Sequence, residues 1–133
     1  MRPFMIPLLA PALLVAASGS AQSPDWSQAR PLTIELSSFK FTPAATTLEH
    51  GTVYRLHLVN TSSGGHDFVA KEFFAGSTIA PEDRARVKGG SVDVDGGESV
   101  DIRLIPGAPG TYKLHCSHFM HSTFGMTGTI TVQ

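Results

Sequence analysis

Residues 110–128 read GTYKLHCSHFMHSTFGMTG. This stretch holds the only cysteine of the chain, three of its six histidines and two of its four methionines. Cys116, His121 and Met126 follow one another with four residues in each gap. A thiolate, an imidazole and a thioether are soft or borderline donors that suit copper. Two imidazoles and a thiolate with a weak axial thioether make an electron-transfer copper site. The loop supplies one donor of each kind, so a second imidazole must come from elsewhere. His66, in the segment NTSSGGHDF, is available.

The flanking segments carry the two-residue period of strands. Tyr112, Leu114 and Cys116 share one face, and Lys113 and His115 the other. Cys116 therefore leaves its strand pointing inward, where a thiolate would be shielded. Ile130 and Val132 continue the pattern after the loop. Upstream, Val100, Ile102 and Leu104 alternate with Asp101 and Arg103, between turn signals at Asp95-Gly96-Gly97 and at 106–110. In 52–60, Tyr54, Leu56 and Leu58 oppose Arg55 and His57, which makes His57 an outward-facing side chain; His50, before Gly51, reads as a turn residue. The polar, glycine-bearing 60–65 segment is a loop that can present His66. Leu32, Ile34 and Leu36 alternate with Thr33, Glu35 and Ser37, and Phe39 and Phe41 extend the apolar set as core residues up to Pro43. About seven short strands with regular turns fit an antiparallel sandwich.

Residues 68–90 depart from this rhythm. VAKEFFAG fits either a strand or a short helix. APEDRARVKGG opens on Pro81-Glu82-Asp83 and stops at Gly89, which predicts a short surface helix. Phe73 and Phe74 would pack this region onto the sandwich. Arg84, Arg86 and Lys88 read as a solvated face rather than a patch for an acidic partner.

The distant histidine, the strand pattern and the loop together resemble the cupredoxins, the type 1 blue or green copper proteins. That family carries one histidine after a mid-chain strand, then Cys, His and Met on a loop near the C-terminus, usually ending Gly-Met-x-Gly. Gly125-Met126-Thr127-Gly128 matches this ending, and the spacing of Cys116, His121 and Met126 is most similar to the rusticyanin loop. The resemblance spans about 32–132. It implies an all-β fold, an antiparallel Greek-key β-sandwich of about seven to eight strands with a short helical insertion. It implies one copper ion held by His66, Cys116, His121 and Met126. His118 follows Cys116 too closely for the family's loop spacings, and Met120 does not precede the glycine ending; both stay in view as competing donors. With His115 they form a surplus of groups at the site rim, either ordinary surface residues or donors that accept and hand over Cu(I). Asp67 stands where many cupredoxins have Asn, which ties the ligand loops together. An ionised carboxylate cannot donate as an amide can. Its charge favours Cu(II), so the expectation is a lower potential than Asn would give.

A chain of 133 residues is one domain. Residues 1–21 have the features of a secretory signal: Arg2, an apolar 4–17 run interrupted by Pro7 and Pro11, and small residues at 19–21. The run is too short and too proline-rich for a membrane anchor. The expected organisation is a signal over 1–21, an irregular segment over 22–31 and the cupredoxin domain over 32–133. Its implied location is the periplasm, without stable membrane insertion once the signal is removed. Removing Arg2 with the signal leaves nine basic against eleven acidic residues, so no nucleic-acid footprint is present. The lone cysteine excludes an internal disulfide framework. No signature of a Cys–His nucleophile, a redox Cys-x-x-Cys or a closed structural zinc site appears. Multicopper oxidases and copper nitrite reductases reuse this domain but need further domains and histidines, so the chain is expected not to be an enzyme. Two functions stay open: an electron carrier that meets a redox partner transiently, slightly favoured, and a copper-tolerance or delivery protein that meets a copper acceptor. In the first, the ring edge of His121, near Phe119 and Phe124, is the electron route.

Overall fold

The computed structural model describes residues 3, 10–14 and 23–133. Most of the expected signal over 1–21 lies outside the described residues. No helix among them is long and apolar enough to cross a membrane.

Among the described residues ten strands form two sheets packed face to face. The first sheet comprises β1 (Arg30–Ser37), β2 (Lys40–Thr42), β4 (Tyr54–Asn60), β6 (Thr78–Ile79) and β8 (Ser99–Ile105), in the order β2-β1-β4-β8-β6. The second comprises β3 (Ala45–Leu48), β5 (His66–Val69), β7 (Ser91–Val94), β9 (Gly110–His115) and β10 (Thr127–Val132), in the order β3-β10-β9-β5-β7. Two pairs, β1–β4 and β3–β10, are parallel, and the rest are antiparallel. The strand count exceeds the seven to eight expected because short edge pieces such as β2 and β6 pair on their own.

The alternation in the sequence is the alternation of burial. Ile34 and Leu36 of β1, Leu56 and Leu58 of β4, and Ile102 and Leu104 of β8 face inward. They meet Phe68, Val92, Val94, Leu114, Ile130 and Val132 of the opposite sheet. The Phe41 and Phe68 rings cross the interior edge-on at 5.9 Å, an arrangement the aromatic quadrupole favours. Such burial is the dominant stabilising term of a domain this size.

Three local readings change. The apolar run from Leu32 to Phe41 is not one strand: β1 and β2 form a tight hairpin with Ser37 opposite Lys40. Phe39 sits in its turn with φ 59°, a conformation costly for a bulky residue. Phe41 is core, whereas Phe39 is 41% exposed. The expected helix over 80–88 is a 3-10 turn, Pro81–Arg86, with the proline at its start. The true α-helix, α1, is Lys71–Gly76, and its Phe73 and Phe74 are buried as expected. Nor is the Arg86 face simply solvated. The buried Asp83 accepts from the Arg86 guanidinium (2.7 Å), from Arg103 Nε (2.8 Å) and from the Arg103 backbone N–H (2.9 Å). His57 does lie on the outer face of β4, where it pairs with Asp101.

Candidate metal centre

The site lies at one end of the second sheet, where β5 and β9 part. These strands pair antiparallel only at Val69 and His115. Continuing that register places Asp67 opposite Ser117 and His66 opposite His118. On its other side β9 pairs with β10, and the Cys116 N–H bonds the Met126 carbonyl at 3.1 Å. Cys116 and Met126 are thus directly opposed, on the inward face, and both are fully buried. Directly opposed residues share one face with their Cβ atoms close together.

The loop before β5 is held by Asn60, which is buried and fully bonded. Its amide donates to the carbonyls of Gly64 (2.8 Å) and Val94 (2.9 Å). Its oxygen accepts from the Ser62 N–H (3.0 Å) and hydroxyl (2.7 Å). This network aims His66 inward, only 4% exposed. The loop from 116 to 126 is closed by a chain of turns. His121 N–H bonds the His118 carbonyl and Met126 N–H bonds the His121 carbonyl, each at 3.0 Å. The Ser122 hydroxyl donates to the Cys116 carbonyl, and Met120 takes a positive φ of 65°.

These frames converge three donors. His66 Nδ1 lies 3.1 Å from His121 Nδ1. Cys116 Sγ lies 3.4 Å from His121 Nδ1 and 3.9 Å from His66 Nδ1. One first-row ion with bonds of about 2.0 Å to nitrogen and about 2.3 Å to sulfur holds its donors roughly 3–4 Å apart. The donor set therefore fits a single ion in both spacing and chemistry. Met126, opposed to Cys116 across the strand pair and fully buried, is the thioether of the expected set.

The electrostatics agree with a ligand role. Burial, and then the neighbouring His121 and His118, push the His66 imidazole below its usual range, while Asp67 opposes this weakly. A neutral ring is the ligating form. Burial raises the Cys116 thiol, against backbone N–H groups of Asp67 and His118 that favour the thiolate. The free thiol is thus protonated at neutral pH, and a coordinated metal would be needed to ionise it.

Asp67 does not leave the loops untied. Its two oxygens accept from the Ser117 N–H at 2.6 Å and from the Ser117 hydroxyl. Burial alone would raise this carboxyl; the bonds from Ser117 more than reverse that, and it lies below its usual range. A carboxylate is the right partner here because Ser117 offers two donors. Sequence reading missed Ser117, since only the cross-strand register brings it to Asp67. It also missed Phe39, whose ring stands edge-on to His121 at 5.0 Å and tilts against Phe124 at 5.2 Å. Phe39, Phe124 and Phe119 are 41%, 60% and 89% exposed, and the Phe39 ring puts apolar surface beside the half-buried His121 edge. Of the surplus donors, His118 lies at the site, stacked on His121 at 5.4 Å. His115 is on the outward face of β9, and Met120 is partly exposed.

Compared with known proteins, residues 8–132 match the sequence profile of the cupredoxin-like domain. No curated protein matches the chain. Dithionite-reduced auracyanin of Roseiflexus castenholzii superposes with a TM-score of 0.59 and 19% identity, over 79% of this chain and 98% of auracyanin. Auracyanin B gives 0.57 and 21%, over 87% and 95%. A multi-copper oxidase of Pseudomonas thermotolerans gives 0.64 and 19%, over 90% of this chain but 35% of the oxidase. At these identities the likeness is one of fold.

Proposed function

We propose that this chain, which belongs to the cupredoxin-like domain family, holds one copper ion through His66, Cys116, His121 and Met126 and works as an electron carrier. The observation that carries this reading is the convergence of His66 Nδ1, Cys116 Sγ and His121 Nδ1 within 3.1–3.9 Å beneath an apolar rim. Bound copper would supply one-electron exchange between its two valences. The protein's part is to hold the donors still. Asn60 fixes the His66 loop, Asp67 and Ser117 clamp the chain just past Cys116, and the 118–126 turns set His121. Donors so fixed by bonded outer partners change little between valences. His121 is the only one of the three converging donors that is not fully buried. Its edge, flanked by Phe39, is the natural contact for a redox partner met transiently through apolar surface.

The remaining parts of the reading are that residues 1–21 are a removable signal and that 32–133 work as a soluble periplasmic domain. They rest on the composition of that stretch. The chain spans about a third of the multi-copper oxidase it resembles and nearly the whole length of the auracyanin of Roseiflexus castenholzii. One observation favours a second reading, copper tolerance or delivery: the exposed His118 against the site.

The test is the visible and EPR spectrum after one equivalent of Cu(II). An intense thiolate-to-copper band that vanishes in Cys116→Ser is expected. A weak, ordinary Cu(II) spectrum, indifferent to Cys116→Ser, would overturn the proposal. Fast electron self-exchange would then favour the carrier, and copper release to an acceptor the delivery protein.

A further inference from the structure

We infer that His118 is a transit ligand: an exposed imidazole that takes copper from solvent and passes it to the buried donors without remaining bound. The inference rests on the copper site proposed above and adds a residue to its working.

The geometry sets the need. Cys116 is completely buried and His66 nearly so. An ion arriving with its water shell cannot reach either without first shedding water. His118 is exposed, and its ring stacks on His121 with an interplanar angle of 23°. Its ring centre is also 6.3 Å from that of His66. The ring lies over the loop before His66, since a Cβ on Gly65 would meet His118 Cε1 at 3.4 Å. The register that ties Asp67 to Ser117 carries His118 opposite His66, and the His121 N–H bonded to the His118 carbonyl at 3.0 Å fixes the step to His121. Three imidazoles therefore run from solvent to the thiol, and His118 is the outermost.

Each exchange is balanced. His118 displaces one water from Cu(II); His121 and His66 displace further waters and then His118 itself. Cys116 gives its proton to solvent as its sulfur binds. No electron moves.

A ligand used only in transit lowers the barrier in both directions. Its loss must slow uptake and release by one factor and leave their ratio alone. A residue that merely braces the loop would behave otherwise, because loosening it slows uptake but speeds release. Apoprotein is mixed with equimolar Cu(II) sulfate and the growth of the thiolate band is followed by stopped flow. Its decay is then followed after adding excess EDTA. His118→Gln is expected to slow both processes about tenfold, which is ~1.4 kcal/mol of barrier. His115→Gln, which removes an imidazole from the outward face of β9, is expected to change neither. Wild-type rates in His118→Gln, or slower growth with faster decay, would overturn the inference and leave the copper site standing. Absence of any band in the wild type would instead overturn the copper site, and this inference with it.

Discussion

Asp67→Asn separates two roles that one carboxylate now plays, as a clamp and as a charge. The clamp consists of two bonds from Ser117, one from its N–H at 2.6 Å and one from its hydroxyl. Asn keeps one oxygen for the backbone N–H. Its NH2 then faces the Ser117 hydroxyl, which can rotate and accept. Both contacts survive, but each changes from a bond to a charged group, about 1.5–3 kcal/mol, to a neutral one of about 1 kcal/mol. Ser117 is exposed, so water compensates part of the difference, and the apoprotein should lose about 1–2 kcal/mol. In the copper-loaded protein the same change removes a negative charge just beyond the thiolate. At an effective dielectric of about 20 such a charge is worth on the order of 1–2 kcal/mol. For a one-electron couple that raises the potential by about 40–90 mV. Urea unfolding of the apoprotein measures the first effect and voltammetry of the loaded protein the second. An Asn variant as stable as the wild type with an unchanged potential would refute both halves of the reasoning.

Asp83→Ala should cost about 3 kcal/mol, the low end for breaking a buried pair because the guanidiniums of Arg86 and Arg103 reach water; chemical denaturation reads it. Burial would raise the Asp83 carboxyl, but bonds from the Arg103 side chain and backbone hold it below its usual range. Its contribution should therefore be complete above the unfolded value of about 4 and fade as pH falls through the depressed folded value. The stability gap between wild type and Asp83→Asn must then shrink in acid, and a gap constant with pH would contradict this. Gly96→Ala would put a Cβ 2.2 Å from the Ser63 carbonyl oxygen, in the loop that presents His66. A loss of about 1–3 kcal/mol with faster copper loss to a chelator is expected, and unchanged retention would argue against that loop setting His66. Phe124→Glu, at a site already 60% exposed, should barely affect stability but slow electron self-exchange. The slowing should ease as salt screens the like charges brought rim to rim, and a salt-independent rate would exclude the apolar rim as the contact.

Much of this was legible because periodicity and burial coincide. Leu32, Ile34 and Leu36, then Tyr54, Leu56 and Leu58, announce inward faces, and the face that carries Leu114 carries Cys116 with it. The loop spacing names its own candidates, since a lone cysteine flanked by histidine and methionine has few other uses. What could not be read is register. Nothing local to Asp67 points to Ser117, fifty positions away. Nothing local to His118 says that it lies across from His66. Both follow from a single pairing, Val69 with His115.

Phe39 shows the same limit from the opposite side. Its alternation with Phe41 is a valid strand pattern, and by pattern alone it belongs in the core. The chain instead turns there, at a positive φ that a phenylalanine adopts only at a cost of about 1–2 kcal/mol. Asn or Gly would suit that turn better. A residue that is wrong for its backbone persists where its side chain has a task, and this ring stands edge-on to His121 and against Phe124. Met120, the other non-glycine residue with positive φ among the described residues, immediately precedes His121. Strained backbone on both sides of one imidazole is an arrangement in which stability is given up to hold that ring. It sets His121 apart from the other donors as the point where the buried site meets the outside.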